Sequence, residues 1–139
     1  MISNKSPHEF IFVPLDTPDL SRAINITKDL KDLIGGVKIG KEFFTALGPE
    51  GVLKIKEIGI PVFIDLKFHD IPNTVAGALR SAMYLKPSII NVHAQGGRKM
   101  LIAARDTVLE ESNKTGLTPP LLLGVTVLTS LGDHDLKET

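Results

Sequence analysis

Phe63-Ile64-Asp65-Leu66-Lys67-Phe68-His69-Asp70-Ile71-Pro72-Asn73-Thr74 opens as an apolar strand and closes as the start of a helix. It places two carboxylates and an ammonium between positions 65 and 70. Desolvating a charge is costly unless it is paired, so such a cluster at the end of a buried strand calls for a chemical reason. Residues two apart on a strand share a face, so Phe63, Asp65 and Lys67 point one way and Val62, Ile64 and Leu66 the other.

Strands and helices alternate on both sides of this stretch. Residues 10–16 form a nearly continuous apolar run, expected as a strand covered on both faces and ending at Asp16. Apolar residues from Leu20 recur at helical spacing until Gly35-Gly36. A short strand is expected over 37–40. A helical region over 42–58 follows, interrupted by Gly48-Pro49. The central strand covers 61–67, and Pro72 suits the first turn of a helix over 73–85. A fourth strand spans 88–94, and Gly96-Gly97 opens a helix to about Ser112. A polar loop over 114–120 leads to a fifth strand over 121–129, after which Asp133 caps a last helix.

Repeated strand–helix units with short connections predict a parallel α/β sheet. An open doubly wound sheet would gather its site at one switch point. Here polar groups stand at every strand end: Asp16, Lys38, Asp65 with Lys67, His93, and Thr129. That ring predicts the mouth of a (β/α)₈ TIM barrel, present as about five βα units. An open flavodoxin-like binder lacks support, because Leu15-Asp16-Thr17-Pro18 stands where a phosphate-cradling loop would be.

Composition narrows the classes. The 139 residues fit one domain, and 42% hydrophobic against 23% charged residues allow a sizeable core. Sixteen basic and sixteen acidic residues cancel, which argues against a nucleic-acid surface. With no cysteine, thiolate chemistry and disulfides are excluded. No apolar run reaches the ~18 residues of a membrane helix. The amino terminus lacks a signal-peptide core. A soluble cytoplasmic protein without membrane association is expected.

If the first three strands are neighbours, Asp16, Lys38, Asp65 and Lys67 converge, with Asp70 in the loop just beyond. A fixed carboxylate can crowd a substrate carboxylate, and a fixed ammonium can stabilise and protonate the carbanion left behind. Those are the parts of a decarboxylation without a cofactor. Asp65–Lys67 could instead be a structural ion pair and Asp70 a helix cap; the full Asp-x-Lys-x-x-Asp pattern beside Lys38 favours chemistry. His93 is expected to be a hydrogen-bonded residue of the mouth and His69 a loop or interface residue. No second histidine stands at metal-ligand spacing from His93.

The block Asp65-Leu66-Lys67-Phe68-His69-Asp70-Ile71-Pro72-Asn73-Thr74 closely resembles the signature of the orotidine 5′-phosphate decarboxylase family. So do Val37-Lys38-Ile39-Gly40-Lys41-Glu42, Asn91-Val92-His93-Ala94-Gln95-Gly96-Gly97 and Val125-Thr126-Val127-Leu128-Thr129-Ser130, in the family's order. The resemblance implies a homodimeric barrel that converts orotidine 5′-phosphate to uridine 5′-phosphate in pyrimidine synthesis, with neither metal nor organic cofactor. Lys67 would be the proton donor and Asp65 would face the substrate carboxylate. Lys38 would complete the network and touch the ribose, and Asp16 would accept from a ribose hydroxyl. Asp70, Ile71 and Thr74 would act across the dimer, and Thr129 would contact the ligand from strand five.

The family's barrel continues for three more strands. The resemblance therefore implies that residues 1–139 are the amino-terminal portion of one barrel domain, with the phosphate grip past Thr139. Such a portion alone is expected to associate or dissolve poorly and to turn over little. Two other readings remain. A Mg²⁺-dependent sugar-phosphate decarboxylase or aldolase of the same suprafamily shares Asp-x-Lys-x-x-Asp, although Ile71-Pro72-Asn73-Thr74 argues against it. A non-catalytic half-barrel that binds nucleotides or a protein partner is the other.

Overall fold

The computed structural model describes residues 6–138. Five parallel strands pair in the order β1 Phe12–Pro14, β2 Gly36–Ile39, β3 Val62–Phe68, β4 Ile89–His93 and β5 Leu121–Val125. Between them run α1 Leu20–Leu30, α2 Lys41–Lys56, α3 Pro72–Met83 and α4 Gly97–Thr115, and α5 Asp135–Glu138 follows. A parallel crossover takes one hand, so strands added in strict sequence place every helix on the same face. A doubly wound sheet needs a reversal of strand order, and none occurs here. The order is that of a barrel wall, open between β1 and β5.

The two faces of the sheet differ as a barrel requires. Val37, Ile39, Val62, Ile64, Ile90 and Val92 face the helices and are buried, packed with Phe43, Val52, Ile55, Leu79 and Met100. On the other face Lys38, Phe63, Ile89 and Leu121 stand in register across four strands. The Phe12 and Phe63 rings meet edge to face there, 6.4 Å apart. Leu121 and Leu123 are exposed on this inner face of β5. None of the described helices is long and apolar enough to cross a membrane.

The expected elements are present with four differences, the last being that α5 begins at Asp135, so Asp133 lies in the turn before it and does not cap it. Pro7–Phe10 forms a 3₁₀ turn, so the first strand begins at Phe12 rather than at residue 10. It is an edge strand and not covered on both faces: Phe12 and Val13 are half-buried and Pro14 is exposed. Proline is tolerated there because an edge strand has one side free of ladder bonds. The fifth strand stops at Val125 instead of residue 129. Its partner β4 ends at His93 and turns into the 3₁₀ segment Ala94–Gly96, so the backbone after Val125 has no ladder to join. Thr129 therefore does not end β5; it lies exposed in a turn. Within α2 the expected interruption is a kink at Gly48, whose φ of 60° and ψ of −164° are not helical.

Candidate active site

β3 carries the site because it is not a regular strand. Ile64 pairs with Ile90 and Phe68 with Val92, so Asp65, Leu66 and Lys67 together oppose the single residue Asn91. Lys67 takes a left-handed backbone, φ 54°. For a residue with a Cβ that conformation costs roughly 1–2 kcal/mol, so surrounding bonds must hold it. One such bond runs from the Lys67 N–H to Asn91 Oδ1 at 2.8 Å. The bulge keeps Leu66 and Phe68 packed against the helix-side core. Asp65 and Lys67 are left on the inner face.

Three donors surround the Asp65 carboxylate. Lys67 Nζ lies 2.6 Å from Oδ1 and Lys38 Nζ 3.0 Å from Oδ2. Asn91 Nδ2 donates to Oδ1 at 2.6 Å. Asp16 approaches Lys38 Nζ from the β1–α1 loop at 3.9 Å. Its position follows from the backbone, since the N–H of neighbouring Leu15 donates to Lys38 O at 2.9 Å. Gly40, which precedes α2, leaves the space: a Cβ there would sit 3.2 Å from Asp16 Oδ1 and 3.6 Å from Lys38 Nζ.

Asp65 is only 7% exposed. Burial pushes its carboxyl pKa up, but hydrogen bonds from Lys67, Asn91 and Lys38 outweigh that and hold it below the ordinary carboxylate range. The site therefore presents a fixed anion between two ammoniums at the carboxyl ends of parallel strands. Lys38 and Lys67 remain partly open, with side chains 25% and 27% exposed. A small anionic molecule can reach both.

Asp16, Lys38, Asp65 and Lys67 thus come together as their strand positions predict. Asp70, Ile71 and Thr74 do not join them: Asp70 and Ile71 are exposed on the segment that leads into α3, and Thr74 is exposed in its first turn. The Asp70 carboxylate accepts from the Ile71 N–H at 2.6 Å. Thr129 is likewise outside the cluster, in its exposed turn. His93 stacks at a tilt on His69, with rings 5.2 Å apart. Burial and the charges of His69, Lys41 and Lys67 lower its pKa. Its Nδ1 has no hydrogen-bond partner among the described residues, contrary to the expected hydrogen-bonded role.

Asn91 is the member that strand spacing does not single out. A signal exists in hindsight: an amide in the middle of an apolar strand must find partners when buried. Asn91 is 3% exposed and finds them in Asp65 and Lys67.

Residues 9–139 match the Orotidine 5′-phosphate decarboxylase / HUMPS family. The sequence is 49% identical over 130 residues to an orotidine 5′-phosphate decarboxylase of Rhodospirillum rubrum, covering 93% of this chain and 53% of that protein. It is 52% identical over 128 residues to the enzyme of the same name from Idiomarina loihiensis, covering 92% and 53%. In structure it is similar to orotidine 5′-phosphate decarboxylase from Lactobacillus acidophilus, with a TM-score of 0.80 and 35% identity, over 91% of this chain and 57% of that one. The chain spans about half the length of the curated relatives it matches.

Proposed function

Because the chain belongs to the orotidine 5′-phosphate decarboxylase / HUMPS family, we propose that the protein carrying it converts orotidine 5′-phosphate to uridine 5′-phosphate and carbon dioxide. The observation that carries this reading is the buried Asp65 carboxylate, kept ionised between Lys38 and Lys67. A substrate carboxylate brought to Lys67 meets the Asp65 charge at close range. Losing carbon dioxide relieves that repulsion. The C6–carboxyl bond breaks and its electron pair stays on C6. The Lys67 ammonium lies where it can stabilise that pair and then protonate it, becoming an amine that water reprotonates. Lys38 and Asp16 are assigned to the ribose hydroxyls, and no cofactor takes part.

The family's other branch keeps a second reading open, an enediolate chemistry that uses Mg²⁺. Two ammoniums already flank Asp65, and a divalent cation at the same carboxylate would be repelled by both. Uridine 5′-phosphate formation by the protein made from its complete coding sequence should therefore persist undiminished in excess chelator. Turnover of a sugar phosphate that the chelator abolishes would favour the second reading.

We assign the 139 residues to the amino-terminal portion of one barrel domain in a cytoplasmic homodimer with shared sites. The matched share of the relatives supports their being a portion of a longer domain. The exposed rim cleft formed by His69, Asp70, Ile71, Pro72, Gln95 and Gly96 supports the shared sites. It offers Asp70 to a neighbouring molecule. Lys67→Ala and Asp70→Ala proteins, each nearly inactive alone, should recover about a quarter of wild-type activity per site when mixed and allowed to exchange subunits. Mixtures as inactive as their components would count against the shared site.

A further inference from the structure

We infer that Asn91 is a positioning residue for catalysis, the group that sets Lys67 and Asp65 in their working relation. The inference rests on the decarboxylase reading above and names a residue to which that reading gives no role. A single buried amide spans the bulge: Oδ1 accepts the Lys67 N–H at 2.8 Å, and Nδ2 donates to Asp65 Oδ1 at 2.6 Å.

The carboxamide does both at once, through an acceptor and a donor on separate atoms. Asp65, ionised, offers acceptors alone, so its partner must donate; the Lys67 N–H donates, so its partner must accept. The reversed amide would set acceptor against acceptor and donor against donor. Aspartate in its ionised form could serve Lys67 but not Asp65, and an aliphatic residue could serve neither. Asn91 comes from β4, whereas both groups it serves stand on β3. It therefore fixes the bulge from outside. The left-handed Lys67 backbone is what turns the lysine stem so that its Nζ returns to Asp65 two residues earlier. Without the amide, Lys67 can relax toward ordinary strand geometry and its ammonium leaves the reacting carbon. A misplacement of about 1 Å can cost about 10²-fold in rate.

The charged groups around Asp65 are Lys38 from β2, Lys67 from β3 itself, Asp16 reached through Lys38, and His93 at the end of β4 beside Lys67. None of them replaces the lost donor, because both lysines are already engaged. Removing a hydrogen bond to the ionised carboxylate raises its pKa. The acid limb of the rate profile should then move to higher pH.

The test compares wild type, Asn91→Leu and Asn91→Asp in the protein made from its complete coding sequence. Asn91→Leu should lower kcat about 10²-fold, leave uridine 5′-phosphate affinity within about threefold, and shift the acid limb upward. Asn91→Asp, which is isosteric, should be slow at neutral pH. Its rate relative to wild type should rise as pH falls, because the introduced carboxyl gains a proton and can donate to Asp65. The isosteric variant carries the test if Asn91→Leu does not fold. A wild-type kcat and acid limb in Asn91→Leu, or a pH-independent ratio for Asn91→Asp, would overturn the inference. A wild-type protein inactive on orotidine 5′-phosphate would instead sink the decarboxylase reading.

Discussion

Lys67→Ala, made in the complete protein, is expected to slow decarboxylation of orotidine 5′-phosphate by on the order of 10⁴-fold. Affinity for uridine 5′-phosphate should change by less than about tenfold. The two parts of the expectation have separate causes. In the proposed reaction Lys67 supplies both the positive charge that faces the developing carbanion and the proton that quenches it, and no other described residue presents an ammonium to Asp65 Oδ1. The product has no carboxylate for Lys67 to meet, so its binding depends on other groups. The fold should tolerate the change, since Asp65 keeps Lys38 at 3.0 Å and Asn91 at 2.6 Å. Steady-state kinetics and calorimetric titration with uridine 5′-phosphate measure the two halves. An equal loss of both would mean that Lys67 holds the structure and does not perform the chemistry.

Asp65→Asn should give a different signature: kcat lower by about 10²- to 10³-fold, together with a lower KM for orotidine 5′-phosphate. The buried carboxylate holds two ammoniums close together. In the proposed reaction it also crowds the substrate carboxylate in the ground state. Neutralising it removes the crowding, so substrate binds more tightly, while the barrier rises. A fall in kcat accompanied by a fall in KM is what loss of ground-state destabilisation looks like. A raised KM would show that Asp65 serves to attract the substrate, which contradicts the role proposed for it. Parallel thermal melts keep folding separate from chemistry. The variant leaves Lys38 and Lys67 facing each other around a neutral amide, and some loss of stability is expected.

Much of this site was legible from the order of residues because strand geometry is local. Period-two alternation alone puts Asp65 and Lys67 on one face and Ile64 on the other. Short apolar strands separated by helices imply parallel neighbours, which bring Lys38 and Asp16 alongside. What the sequence hides is set by the neighbouring strand. Val125-Thr126-Val127-Leu128-Thr129 is rich in β-branched residues, yet only Val125 belongs to β5 because β4 offers no edge beyond His93. The Phe10-Ile11 pair reads as strand, but Pro7–Phe10 winds into a 3₁₀ turn ahead of β1.

The bulge was hidden for a related reason. Lys67 carries no glycine-like mark of a left-handed backbone. Its conformation depends on a bond to Asn91, twenty-four residues along the chain. Asn91 itself reads as one more position of an apolar strand. A motif scan finds the charges on either side of Asp65, while the amide that orders them appears only once β3 and β4 are paired.

The central claim is that this charge cluster removes a carboxylate from orotidine 5′-phosphate with Lys67 as the acid. Its most direct measurement is release of labelled carbon dioxide from substrate labelled at the carboxyl carbon, with wild-type and Lys67→Ala proteins at equal concentration. Stoichiometric release with uridine 5′-phosphate by the wild type, and release slowed by on the order of 10⁴-fold by Lys67→Ala, is the predicted result. No release by the wild type, or equal release by both proteins, would contradict it.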